Sequence, residues 1–312
     1  SGTASGEISL DVGVNVIEII VTASDGITSK TYTVEVIKAE PEYITSYRVA
    51  DGESISEHDV VQLINGEIAS LETNTEIDAV GVAEVFESAD TRYTSVTALS
   101  SNKAIVAYRD EDNLNYGTAC VLEVDGTTIT IGTPVVFNSA GTLYISVTAL
   151  SPNKAIVTYQ DNGNTNYGTA CVLGINGSSI NPGTSVVFES WGTSFNSVTA
   201  LSSNKAIVTY QDAGNSDYGT ACVLEIDGNS ITLGAPIVFE SGDTQMCSVT
   251  ALSSDRTIVT YHDYDNSGYG TACVLEVDGN SITPGTPAVF ESDDTWDYSV
   301  TALSSNKAIV VY

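Results

Sequence analysis

The sequence predicts an all-β fold made of repeated four-stranded antiparallel units, and three observations predict it. One phrase recurs as "YRDEDNLNYGTACVL" at 108–122, "YQDNGNTNYGTACVL" at 159–173, "YQDAGNSDYGTACVL" at 210–224 and "YHDYDNSGYGTACVL" at 261–275, always 51 residues apart. Ser95, Ser146, Ser197, Ser248 and Ser299 each open "SVTAL", and Phe86, Phe137, Phe188, Phe239 and Phe290 close each unit at the same interval. Within a unit, short apolar runs alternate with turn signals and no helical period appears. A reactive centre is built once, whereas a structural unit is copied.

The unit 197–247 sets out the elements in order. "SVTAL" is a first strand of small residues, turned by "SSNK" into a second, "AIVTYQD". The polar stretch "AGNSD" leads to a third strand, "YGTACVLEI". Asp227–Gly228 reads as a type I′ hairpin pair, in which both central residues need positive φ. "SITLGAPIVF" is the fourth strand, its glycine and proline suiting an outer edge or a bulge. Such a meander has two apolar faces and cannot stand alone, so copies must stack. Four strands in roughly 40–50 residues is the size of a β-propeller blade. The small first strand suits the crowded innermost position.

The expected fold is therefore an all-β β-propeller over 60–312. Its complete blades are 95–145, 146–196, 197–247 and 248–298, with partial ones at 60–94 and 299–312. Two completions stay open. The stretch 66–88, with Leu71 and Glu72 in register with Leu122 and Glu123, supplies outer strands to 299–312 and makes five blades. Alternatively the chain is part of a longer one whose ring is larger.

Residues 1–38 follow another pattern. "NVIEIIVTA" and "KTYTVEVI" alternate apolar and polar residues around the turn "SDGITS", which predicts a β-hairpin. With Leu10, Gly13, Asn15, Ile17, "VTASDG" and "TYTVEV", this segment resembles the closing strands of a cadherin-like β-sandwich, a module of large bacterial surface and secreted proteins. Residues 39–59, beginning "AEPEY", read as a linker. The repeats are similar to the 50-odd-residue repeats of surface and phage-associated propeller proteins, a resemblance that implies an architecture and no activity. Together the two resemblances imply an extracellular or cell-surface protein.

Forty acidic residues against ten basic ones give a formal charge of −30, which argues against nucleic acid as a partner. No run of 18 apolar residues exists to span a membrane as a helix. Cys120, Cys171, Cys222 and Cys273 share one slot in "TACVL" and Cys247 lies outside it. With His58 and His262 the only histidines, neither a zinc site nor a disulfide framework fits, and buried free thiols are expected. Arg48, Arg92, Arg109 and Arg256 fall in different phases, and no Ser-His-Asp or Cys-His pairing can be nominated. No catalytic residue is assigned and a non-enzyme is expected.

The recurring Asp110, Asp161, Asp212 and Asp263 leave a strand into a turn, where a carboxylate can accept from its own backbone N–H groups. Asn113, Asn164, Asn215 and Asn266 are the residues expected to take the left-handed conformation. The layout is similar to the Asp-box hairpin of sialidase-type propellers, with Tyr one place later instead of Trp, and implies a structural role. Asp263, Asp265 and Ser267 alternate before Gly268 like the start of a calcium loop. No distal glutamate follows, so calcium is the weaker reading and no other cofactor is expected.

The copies disagree most between the fourth strand and "SVTAL": "ADTRYT" (89–94), "AGTLYI" (140–145), "WGTSFN" (191–196), "GDTQMC" (242–247) and "DDTWDY" (293–298). Read as loops on one face, these carry Tyr93, Tyr144, Trp191, Phe195, Trp296 and Tyr298 as the expected ligand-binding residues. The expected function is a non-enzymatic extracellular or cell-surface recognition or adhesion module taking a glycan or protein ligand. The alternatives are a rigid spacer in a large surface protein, or a non-catalytic fragment of a glycosidase-like propeller enzyme.

Overall fold

The computed structural model describes residues 81–312 apart from 295, and the backbone strands Gly13–Thr22, Ser29–Lys38, Arg48–Val49, Val61–Ile64 and Glu67–Ser70. The chain divides into two units, Ser1–Val80 and Gly81–Tyr312. In the first, Gly13–Thr22 pairs antiparallel with Ser29–Lys38 without a register shift, the hairpin that the alternation predicts. Glu67–Ser70 pairs antiparallel with Val61–Ile64 and parallel with Arg48–Val49. Part of the segment read as a diverged third strand therefore finds its partners close by in sequence. Leu71 and Glu72 lie outside the described residues.

The second unit is all antiparallel, with one extended sheet that does not close on itself, and a hairpin of Ser299–Ser304 with Lys307–Val311. Its strands recur with the sequence period: the second strand of each copy is Lys103–Asp110, Lys154–Asp161, Lys205–Asp212 or Arg256–Asp263. Each pairs with the "SVTAL" segment on one side and the "YGTAC" strand on the other.

Two features depart from the sequence reading. Val135–Ser151, Val186–Ser202 and Ile237–Ser253 are single strands of 17 residues. Each pairs first with the third strand of one copy and then with the second strand of the next. The stretches expected as loops at 140–145, 191–196 and 242–247 are therefore strand interior, interrupted by register shifts such as that between Ser194 and Ser197. An extended crossing keeps backbone N–H and C=O groups paired on both sides of the joint, which a loop there would not.

The hairpin turn is also shifted by one residue. Asp227 pairs with Ser230, so the central residues are Gly228 and Asn229, and only the glycine has positive φ, at 59°. Glycine in the first central position is the type II′ pattern, not the type I′ expected for Asp227–Gly228.

Successive copies are sealed by a ring pair. Phe188 lies against Tyr210 with centroids 5.2 Å apart, and Phe86–Tyr108, Phe137–Tyr159, Phe239–Tyr261 and Phe290–Tyr312 repeat the contact. The tyrosine hydroxyl donates to the glutamate after the phenylalanine, as Tyr261 does to Glu240 at 2.9 Å. Tyr159 bonds Ser185 instead, because Asn138 holds the glutamate position and donates to Asp161 Oδ1. Nearer the first strands, Ser146 Oγ accepts from Val198 N–H at 3.1 Å, and this bond too recurs down the chain.

All five cysteines are free and buried. Burial pushes the Cys222 and Cys247 thiols up to about 12 and those of Cys120 and Cys273 to about 11. Since the thiolate is the nucleophile, native protein at pH 8 should react with a thiol reagent only at the rate of unfolding, whereas denatured protein should label fully at once. Fast native labelling of the four "TACVL" thiols would contradict this placement.

Candidate functional site

The recurring aspartates serve their own turns. Asp161 Oδ1 accepts from Gly163 N–H at 3.0 Å and Asp212 Oδ1 from Gly214 N–H at 2.9 Å. Asp110 and Asp263 accept from the N–H of Asn113 and Asn266. The left-handed residues are not the expected asparagines: Asn164 and Asn215 close short 3₁₀ turns, and the left-handed φ falls on Thr165, Asn166, Ser216 and Asp217. Replacing Asp161 with Ala removes the acceptor and should cost about 1–2 kcal/mol, read as a lower unfolding midpoint with ligand affinity unchanged.

In the stretch read as the start of a calcium loop, residues 264–266 coil into a 3₁₀ turn. Asp263 is occupied by Asn266 N–H, Asp265 faces Asp243 N–H at 3.4 Å, and Ser267 is itself left-handed. Among the described residues no group of three His, Cys, Asp or Glu side chains is gathered.

Nor do the two tryptophans share a ring of positions. Trp191 is exposed and lies on the Gly214 turn, so close that a Cβ at Gly214 would meet its Cγ at 2.4 Å. Trp296 is half-exposed and stacks on the buried His262 with centroids 4.7 Å apart; His262 Nε2 is 3.0 Å from Asp294 Oδ1. Within the repeat, Trp191 corresponds to Ala140 and Gly242, and Trp296 to Leu143, Ser194 and Gln245.

The other expected residues do converge. Tyr93, Tyr144, Phe195, Met246 and Asp297 occupy one slot of successive copies, and each has positive φ, between 49° and 62°. Side chains of a regular strand alternate between faces. A left-handed residue beside a register shift breaks that alternation, so two consecutive side chains can look the same way. They do so here: Tyr144 with Ile145, Phe195 with Asn196, Met246 with Cys247 and Asp297 with Tyr298 line one hollow of about 260 Å³. The Tyr93, Tyr144 and Phe195 rings form a ladder with centroid spacings of 5.3 and 5.2 Å. Conformations of this kind cost of order 1–3 kcal/mol each in non-glycine residues and persist only where surrounding structure enforces them.

Asn196 is the unusual member. It is 7% exposed, and neither its Oδ1 nor its Nδ2 has a hydrogen-bond partner among the described residues. A buried polar group left unpaired costs about 1–3 kcal/mol. Among the residues that line the same hollow, the Cys247 thiol is held neutral by burial, Ile145 and Met246 are apolar, and Tyr144 and Tyr298 carry hydroxyls. Asp297 is exposed at the rim. Reading the sequence for aromatics alone missed Ile145, Asn196, Met246, Cys247 and Asp297. The available signal was that both positions before "SVTAL" vary together, as YI, FN, MC and DY.

A family model for a cadherin-like β-sandwich domain matches residues 1–39. No curated protein matches the chain. Among solved structures it is similar to a protein of unknown function from Dyadobacter fermentans DSM 18053, with a TM-score of 0.50, 12% identity, and 97% of this chain and 92% of that one covered. A mutant of AofleA from Arthrobotrys oligospora gives a TM-score of 0.46 at 9% identity, covering 67% of this chain and 60% of that one. An Aleuria aurantia lectin mutant in complex with Fucalpha1-6GlcNAc gives 0.43 at 16%, covering 66% and 65%. The chain thus spans less than two thirds of the length of AofleA and of the lectin. Among the described residues no helix is long and apolar enough to cross a membrane.

Proposed function

We propose that the repeats of Gly81–Tyr312 are blades of a β-propeller, and that the protein is a non-enzymatic recognition module of the cell surface or extracellular space that binds a glycan at its strand bends. One observation carries this reading: four successive copies each bring a different pair of side chains to one hollow. Constant strands with varied bends are how a repeat array presents a ligand surface on a rigid frame. The hollow lies below the roughly 300–1,000 Å³ of pockets for drug-sized molecules, which suits a single sugar ring. The charge of −30 favours neutral or cationic ligands over nucleic acid.

A glycan array probed with the full chain tests this. Binding is expected, and it should fall at least tenfold in Phe195→Ala and Tyr144→Ala while Trp191→Ala keeps it. Binding that is lost on changing Trp191 and Trp296 but kept in Phe195→Ala would move the site to the exposed indoles. An array without any signal would overturn the recognition reading in favour of a spacer.

A further inference from the structure

We infer that the group seated in the hollow is a protonated amine, lying on the Tyr144 and Phe195 rings with the Asp297 carboxylate as its counter-ion, so that the bound glycan carries an amino sugar. The inference rests on the recognition reading above and narrows it. Of the side chains that line the hollow, Asp297 alone is charged, and it is exposed at the rim, where a ligand can reach it. Among the described residues no Lys, Arg or His pairs with it. The Tyr144 and Phe195 rings that share the hollow are partly exposed and 5.2 Å apart. A ring face is the negative side of the aromatic quadrupole, so it attracts a cation, and more strongly once water is displaced.

The chain builds this combination for itself once. In the first copy the Arg109 guanidinium lies over the Tyr93 ring, 5.2 Å from its centroid, and pairs with Glu111. Tyr93 is the first member of the slot that continues as Tyr144, Phe195, Met246 and Asp297. In the next two copies the Arg109 slot holds Gln160 and Gln211, whose amides donate to the Thr193 carbonyl and to Asp243 Oδ1. The first copy thus supplies ring, carboxylate and cation, whereas the hollow supplies rings and carboxylate only. A cation from outside the chain completes the set.

A neutral sugar would gain ring contacts and nothing from Asp297, and a sugar acid would be repelled by it. A lysine side chain offers the same charge, but on a flexible four-carbon stem whose rotamer freedom is lost on binding. An amino sugar holds its ammonium on a rigid ring, beside C–H groups that can lie on the aromatic faces. The net charge of −30 attracts cations to the whole surface, so Asp297 has to be separated from that general field.

Titration calorimetry of the full chain tests this with methyl glycosides of glucosamine, galactosamine and mannosamine, each beside its N-acetyl form and its parent sugar. With the amine protonated and carboxylates ionised, at least one amino glycoside should bind at least tenfold more tightly than both its neutral counterparts. That advantage should vanish when the pH is raised until the amine is neutral. It should vanish also in Asp297→Asn, a change that suits the same left-handed backbone. Asp125→Asn, at an exposed hairpin turn of the first copy, should keep it. Equal binding of charged and neutral glycosides, or an advantage that survives Asp297→Asn, would overturn the inference while the recognition reading stands. A glycan array that responds only to glycans without an amine would do the same. Equally tight binding of N-acetyl-lysine methylamide would also overturn it, since the partner would then be a protein. If no glycoside binds and the array is silent, the recognition reading itself fails.

Discussion

Phe188→Ala is expected to destabilise the repeat array by about 3–5 kcal/mol, because it empties a joint between two copies that nothing else can fill. The ring is buried against Tyr210, which is fully inaccessible to solvent, and both belong to one apolar cluster with Val208, Cys222 and Leu224. Loss of the ring also loosens Tyr210, whose hydroxyl donates to Glu189 at 3.3 Å. In a stack of copies, stability is approximately a sum of unit terms and nearest-neighbour terms. The loss should therefore appear as uncoupling, with chemical denaturation splitting into two transitions on either side of residue 188. A single transition with an unchanged midpoint would contradict the role given to this pair.

Gly168→Ala is expected to cost about 1–3 kcal/mol through overpacking at the same joint. A Cβ on Gly168 would lie 2.6 Å from Phe188 Cε2, 2.8 Å from its Cζ and 2.7 Å from Thr193 Cγ2. The phenyl ring cannot withdraw, since Tyr210 stands on its other side. Combined with Phe188→Ala, the glycine substitution should cost markedly less than alone, because the ring it strikes is gone. Double-mutant denaturation gives the coupling directly, and strict additivity would exclude the clash as the cause. The same contact explains the glycine of "YGTAC": at 117 and 219 the neighbouring Phe137 and Phe239 rings lie equally close.

Much of the fold was legible because it is periodic. The "SVTAL", "AIVTY" and "YGTACVL" segments alternate or run apolar over strand lengths, and four copies make the reading self-consistent. The turn aspartates were legible for a local reason: their partners lie two or three residues away. The hairpin of residues 13–38 was legible from alternation around "SDGITS". Sequence by itself thus determined the class, the period and the elements whose partners are near in the chain.

Only the tertiary structure decided what happens between copies. Whether "WGTSFN" is loop or strand depends on which strands flank it, and those come from two different repeats. Asp265 is likewise placed by a neighbour, its carboxylate accepting from a backbone N–H of the preceding copy. The hollow needed most: left-handed residues at Tyr144, Phe195, Met246 and Asp297 turn adjacent side chains to one side, and Tyr, Phe and Met carry no sequence mark for that conformation. Asn196 looks like an ordinary polar residue at the edge of a strand until its neighbours from the copies before and after bury it. Local hydrogen bonds and periodic apolar patterning are written in contiguous residues. The convergence of one slot from residues 51 apart is a property of stacking, and stacking alone sets what each bend faces.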